Sequence, residues 1–365
     1  MKLADRARQT LLDLSRRRPP PHPRPDGEPL YVLFTIDTEI SMGGALKDHS
    51  VQPIGPDVRI WGRLDSGTFG IECFMDAFEA HGMRGVFFYE PFAKNIVGEA
   101  PLAVAAKAIV DRGHSVELHV HPEFKMNLEA VRAGEMTKPS AHLHSYDAAA
   151  QRAYLEEGAA DLERWTGVRP IAFRSGGFAS DEVATEACAA LQIPIDSSYN
   201  VWAVANGVSP FSLTPKLNDV AMLDNGVLEV PTTNLFTRGP KRAMRPFELS
   251  SLNAAEMIAA VDEMYELGMR VCCTLTHSFR LIRTTNHQYT DARLDWFNLH
   301  RLRAFLRHLA AHPDRFRVAT FRDLPLERWK ATLPPPPAQP RYPSPPAWTA
   351  VSRMALQAVK DRGVV

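Results

Sequence analysis

From Tyr31 to Leu326 the chain alternates short apolar runs with longer stretches of helical periodicity. The runs are YVLFTID (31–37), GVFFYE (85–90), SVELHVH (115–121), PIAFRSG (170–176), PIDSS (194–198), VLEVPTT (227–233), VCCTLTH (271–277) and FRVATF (316–321). Most are rich in Val, Ile, Phe or Thr and are bounded by Gly, Pro or Asp, the pattern of buried parallel strands. Helices are predicted over 68–81, where Gly82 supplies a stop, and over 101–111, 147–165, 253–267 and 293–311. About eight strand-then-helix units imply a parallel sheet with right-handed crossovers. No glycine-rich phosphate loop follows the first run, so a closed or nearly closed barrel fits better than an open sheet. There is no internal repeat.

Composition changes this picture in two places. At 365 residues the length alone suggests two domains, but an α/β barrel of this size forms one. The 29 prolines exceed the usual share, and they are not spread evenly. Five lie between Pro19 and Pro25, directly after Arg16, Arg17 and Arg18, and eight between Pro334 and Pro346. Such runs favour extended polyproline II and are read as stiff connectors that do not pack into a core. The expected organisation is a basic, proline-rich extension over 1–28, a barrel over 29–330, and a proline-rich linker with a short helix or frayed tail over 331–365.

Lys+Arg and Asp+Glu balance at 42 each, which argues against a nucleic-acid binder working by phosphate neutralisation. The four cysteines (Cys73, Cys188, Cys272 and Cys273) form no CxxC pair, as expected of reduced thiols in a cytoplasmic protein. Residues 1–18 lack the apolar run of a signal peptide, and no stretch is long and apolar enough to predict a membrane span.

Chemistry gathers at the C-terminal ends of the runs. The first ends in Asp37 and Glu39, the third in His119 and His121, the fourth in Arg174 and the seventh in His277. In a β/α barrel that rim is where several strand ends build one site. Side chains alternate with period two, so Asp37 and Glu39 share a face, as do His119 and His121. Two carboxylates and two imidazoles therefore converge inside the rim, as a metal site with a carboxylate to spare. Buried imidazoles ending an apolar strand need partners or a metal. A second pair, His142 and His144, lies in a Pro/Ser-rich stretch and reads as a loop feature.

In order, FTIDTE (34–39), GHSVELHVHPEF (113–124), FRSGGF (173–178) and LTHSF (275–279) resemble the polysaccharide deacetylases of the NodB-homology type. The resemblance is closest to a branch with DxE and HxHP, and it covers about 30–325. It implies a distorted (β/α)7 barrel and metal-dependent hydrolysis of an N-acetyl group on a sugar. Residue by residue, it makes Asp37 the catalytic base, Glu39 and His119 metal ligands, Arg174 the residue that orients the base, and His277 the general acid. The second ligand histidine of the common pattern falls at Glu123; His121, beside His119 by period two, is the expected replacement. The fourth motif is echoed only by Asp196 and Trp202, with Asp196 a candidate support for the charge of His277. Phe178, Tyr199 and Trp202 are candidates for a sugar-facing surface, and Gly176 and Gly177 for close backbone approach.

Three protein ligands and an open position suit a catalytic zinc, although a mixed N/O site also accepts iron, cobalt or nickel. The reading is a hydrolase removing an N-acetyl group from a sugar or surface-polysaccharide precursor inside the cell. The alternatives are a hydrolase of another non-peptide amide and a non-catalytic carbohydrate-binding barrel. An amidohydrolase barrel places HxH on its first strand, whereas here it ends the third.

Overall fold

The structure, a computed structural model, describes residues 27–214, 216–238 and 242–361. All but the last two residues of the expected N-terminal extension lie outside this range. The first run splits at Phe34 into β1 (Leu30–Leu33) and β2 (Thr35–Thr38). There follow β3 (Val86–Tyr89), β4 (Ser115–Val120), β5 (Ala172–Ser175), β6 (Ile195–Asp196), β7 (Ala221–Met222), β8 (Leu228–Glu229), β9 (Val271–Cys273), β10 (Thr276–His277) and β11 (Phe316–Ala319). The main sheet runs β10-β2-β3-β4-β5-β6-β8-β7, and β9-β1-β11 continue it below β2 and β10. Only the edge pair β8–β7 is antiparallel. The sheet curls into the distorted α/β barrel expected. A side-chain-assisted contact, not a ladder, joins β9 to the chain after β8: the Thr233 N–H donates to the Cys273 carbonyl at 2.9 Å, and the Cys273 N–H to Thr233 Oγ1 at 3.0 Å.

The predicted helices appear as α1 (Ile71–Glu79), α2 (Ala100–Asp111), α3 (Ala148–Thr166), α5 (Ala254–Glu266) and α6 (Trp296–Ala311), with α4 (Glu182–Ala190) between α3 and α5. Their ends follow local chemistry. Asp147 caps α3 by accepting from the Ala150 N–H, and Gly167, left-handed at φ 75°, ends it. Asn253 and Glu256 form a capping box on α5. Both α1 and α6 start about three residues later than predicted, because Gly67–Thr68 and Arg293–Leu294 are taken up in small two-stranded ribbons.

Period-two alternation sorts the core into two layers. Leu30, Val32, Phe34 and Ile36 pack outward against the helices, while Tyr31 and Leu33 face inward with Val86, Phe88, Ala172 and Ile195. The lower barrel is plugged by α7 (Leu326–Thr332), whose Trp329 meets Tyr31 edge to face at 5.7 Å. Above this apolar floor the inward positions of the first run become Thr35 and Asp37. The barrel is thus dry at one end and polar at the other.

The same alternation corrects the expectation for Asp196. Ile195 and Leu228 face inward, so Asp196 and its register partner Glu229 face the helix layer. Asp196 Oδ1 accepts from the Ser198 N–H and hydroxyl at 3.0 and 2.5 Å, and Glu229 Oε1 from the Tyr199 N–H at 3.1 Å. Both carboxyls are fully buried. Burial pushes both above the usual carboxylate range, Glu229 well above it with the Asp196 charge adding to the push. A proton shared between the two satisfies the pair.

The C-terminal proline-rich segment does not stand off as a connector. Residues 340–345 are buried. Phe236 N–H donates to the Pro343 carbonyl at 2.9 Å, Asn218 Nδ2 to the Arg341 carbonyl at 2.7 Å, and the Tyr342 ring packs on Phe236 at 5.3 Å. A polyproline II backbone carries no internal hydrogen bonds, so its carbonyls are free to bond the barrel. The strap leads into α8 (Ala347–Asp361).

Because the folded state keeps the Asp196–Glu229 proton above the pH at which the unfolded chain loses it, stability falls as pH rises past about 4.3. Glu229→Gln removes that dependence. Its stability relative to the native chain is expected to climb by up to about 1.4 kcal/mol per pH unit between roughly pH 5 and 7. Denaturant titrations across this range check it, and parallel pH slopes for the two proteins would refute the shared proton.

Candidate active site

Strand alternation delivers the polar residues to one end of the barrel. Asp37 and His277 are register neighbours on β2 and β10, and His119 and Arg174 on β4 and β5. Glu39, one residue beyond β2, joins His119 and His121: one ligand atom from each lies within 4.8 Å of the others. Glu39 Oε2 is 2.8 Å from His121 Nε2 and 3.7 Å from His119 Nε2, and the two rings meet edge to face at 4.9 Å.

The surroundings leave these donors ready for a cation. His119 Nδ1 lies 2.9 Å from the Arg174 carbonyl, which only accepts, so the proton sits on Nδ1 and the Nε2 lone pair faces Glu39. Burial would raise Glu39, but the charge of His121 and the hydrogen bond from its imidazole outweigh it and hold the carboxyl well below the usual carboxylate range. Burial likewise opposes charge on His121, yet Glu39 outweighs it and lifts the imidazole to about 9. A pocket that retains a proton between Glu39 and His121 suits a metal ion in its place. One carboxylate and two imidazoles match a catalytic zinc or a related ion.

Arg174 is fully buried and every donor is used. Its Nη1 donates to Asp37 Oδ1 at 2.7 Å and to Thr35 Oγ1 at 2.9 Å; Nη2 donates to Ser197 Oγ at 3.0 Å and Cys273 Sγ at 3.4 Å; Nε donates to the Ser197 carbonyl at 3.3 Å. The guanidinium lies 4.0 Å over the Phe88 ring. His277 sits beside Asp37 with a buried Nδ1 that has no hydrogen-bond partner among the described residues. Burial lowers its basicity, while Glu39 and Asp37 pull the other way.

Other side chains complete the surroundings of the cluster. Arg59, 20 residues after Glu39 at the end of the short helix Pro56–Arg59, donates to Glu39 Oε1 at 3.3 Å and to the Tyr289 hydroxyl at 2.7 Å, with its guanidinium 3.1 Å over the Phe279 ring. It holds one carboxylate oxygen, so the other faces the imidazoles. Glu123 stands behind His121: its Oε2 pairs with Lys138 at 2.8 Å and its Oε1 is 4.0 Å from His121 Nδ1. Glu90, buried beside the cluster, spends both oxygens on the Phe92 and Ala93 N–H groups, and burial pushes it to about 8.

The glycines have a specific use. A Cβ on Gly176 would lie 2.5 Å from ring atoms of His121, so the imidazole occupies the space of the missing side chain. Gly177 and Phe178 follow with φ of 59° each, a left-handed turn that is strained for phenylalanine. The aromatic candidates divide. Phe178 is half-buried at the rim, Trp202 is exposed, and Tyr199 is buried against Phe211. His142 and His144 lie in a loop beside the same turn, with the His144 N–H donating to the Ala179 carbonyl at 3.2 Å, outside the Glu39 cluster.

No protein-family model matches the chain, and no curated protein does. Solved structures do. A polysaccharide deacetylase from Mycobacterium smegmatis superimposes with a TM-score of 0.53 at 16% identity, over 88% of this chain and 99% of that one. A family 4 carbohydrate esterase from Streptomyces lividans, in complex with acetate, matches at 0.37 and 13% over 80% and 92% of the two chains. A family 4 pseudoenzyme from Bacillus anthracis matches at 0.38 and 11%, over 83% and 68%. The chain therefore has the fold of the polysaccharide deacetylases. Its chemistry rests on its own residues, because likeness at this identity establishes fold alone.

Gly176→Ala is expected to displace the His121 ring and weaken binding of a divalent metal ion at the Glu39–His119–His121 cluster by about 10- to 100-fold, as for other residues that set a ligand's orientation. Competition against a chromophoric chelator reads this, with circular dichroism confirming the fold. Unchanged affinity would show that His121 does not need the space.

Proposed function

We propose that this chain is a metal-dependent hydrolase that removes the N-acetyl group from a sugar, with zinc as its ion. The observation that carries the reading is the convergence of three elements at one rim: Asp37 gripped by buried Arg174, the Glu39–His119–His121 cluster, and His277. Glu39, His119 and His121 hold the ion, which supplies an acidified water and polarises the amide carbonyl when bound. Asp37 takes the proton of the attacking water. Arg174 aims that carboxylate and balances its charge, since all its donors are fixed. His277 delivers a proton to the departing amine; burial lowers its basicity, so it gives the proton up readily, while Glu39 and Asp37 beside it partly offset that cost. Arg59 fixes the outer oxygen of Glu39.

The substrate is a carbohydrate in the cytoplasm, such as a precursor of a surface polysaccharide. Four free cysteines fit a reducing compartment, and among the described residues no helix is long and apolar enough to cross a membrane.

Metal analysis and acetate release over a panel of N-acetyl sugars and simple N-acyl amides test the reading. Asp37→Asn is expected to keep its metal and lose about 10²- to 10⁴-fold in kcat. Full activity in that variant removes Asp37 as the base, and normal metal content in both His119→Ala and His121→Ala removes the site. Hydrolysis confined to the simple amides would move the substrate away from sugars.

A further inference from the structure

Helix α8 has its polarity reversed. Its sheltered side is polar: Asn253 Nδ2 donates to the Thr349 carbonyl at 2.8 Å and to Ser352 Oγ at 2.9 Å, and Arg353 pairs at 3.0 Å with Glu256, which is fully buried. Its outer side is apolar. Trp348 is 62% exposed, Val351 57% and Met354 38%, and Ala355 is exposed as well. At ~100° per residue these four positions share one side of the helix, opposite Thr349 and Arg353. The pairing of half-buried Arg353 with buried Glu256 pins the rotation, so the outward apolar stripe is a specified feature. An apolar face that a soluble chain shows to water marks a contact surface.

The neighbouring helix says what it contacts. The groove beside α8 is lined by Ala254, Ala255, Trp296, His300 and Ser352 among others, with a volume of about 480 Å³. Along α6 the exposed positions Trp296, His300, Arg303 and Arg307 recur at helical spacing and form a single stripe. Trp296 is 62% exposed. The α6 sequence contains three arginines and two histidines and no acidic residue, and Arg303 and Arg307 have no ion-pair partner among the described residues. An apolar stripe with two tryptophans, beside a cationic stripe, matches the interface of a bilayer rich in anionic lipid.

We propose that α8 and α6 together dock the protein on an anionic membrane surface, with the apolar stripe of α8 in the headgroup–acyl boundary and Arg303 and Arg307 on lipid phosphates. A second copy of the chain is a poorer occupant, since a two-fold contact brings the cationic stripe toward itself. The position has a direction. In the barrel, α5 and α6 begin at the end where β10 delivers His277, and α8 lies on the first turn of α5. Docking there sets the candidate active-site rim beside the bilayer. The inference rests on the surface alone and not on the hydrolase reading.

Co-sedimentation of the full chain with phosphatidylcholine vesicles, with and without phosphatidylglycerol, is the test. Binding is expected only to the anionic vesicles and is expected to weaken with salt. Trp348→Glu combined with Val351→Glu should abolish it, and Arg303→Glu and Arg307→Glu should each cost about fivefold or more. Hydrolysis of a soluble substrate and the melting temperature should stay unchanged in these surface variants. Three results overturn the proposal: no sedimentation with anionic vesicles, binding that persists in both sets of variants and so belongs to residues 1–26, or a dimer in sedimentation equilibrium that Trp348→Glu dissolves.

Discussion

A guanidinium with no access to water governs the polar half of this barrel. Arg174 enters from β5, and a buried cation is tolerable only when charge and hydrogen bonds replace its hydration. Thr35 and Asp37 on β2, Ser197 after β6 and Cys273 on β9 supply them from three other segments of the chain. The main chain of the same residue fixes the tautomer of His119. One residue therefore sets the aim of the carboxylate with its side chain and the aim of an imidazole with its backbone. The spacing between base and metal cluster is not adjustable from either side alone. The apolar floor around Tyr31 and Trp329 keeps the lower barrel dry, which strengthens the pairing above it.

The strands and the inward polar set were legible because both rest on period two. Once β2 is placed, Asp37 and Glu39 share a face, and His119 and His121 follow on β4 for the same reason. That rule also excludes Asp196, which has the opposite parity to Ile195 on a strand of two residues. Motif order alone draws Asp196 toward His277, and its parity places it on the other face of the strand. Arg59 and Lys138 were not legible as partners, because no strand periodicity brings them to the site, and Glu123 was marked by its place in a motif but not by its pairing with Lys138. The burial of residues 340–345 was hidden for another reason. Proline-rich composition predicts backbone conformation but not whether the barrel offers donors such as Asn218 and the Phe236 N–H.

Two departures from simple rules sit next to the cluster, and the same geometry explains both. The left-handed Gly177 and Phe178 follow directly on Gly176, the residue whose missing side chain admits His121. The turn must bring backbone against an imidazole ring and then reverse toward α4 within a few residues. Strain there is retained because β5, the Arg174 network and the cap of α4 fix both of its ends.

The pairing of β1 has a consequence for synthesis. Its lower half is flanked by β9 and β11, in register with Val271–Cys273 and Phe316–Ala319. A chain leaving the ribosome thus makes its first strand early and holds that half without neighbours until more than two hundred further residues have appeared. Contacts so distant in sequence slow folding and leave a β-rich edge open meanwhile. The strap arrives later still, with Asn218 waiting for Arg341 across 123 residues. The barrel is covered by residues 340–345, so a nascent chain stopped before residue 340 carries strands without that cover and is a substrate for chaperones and proteases.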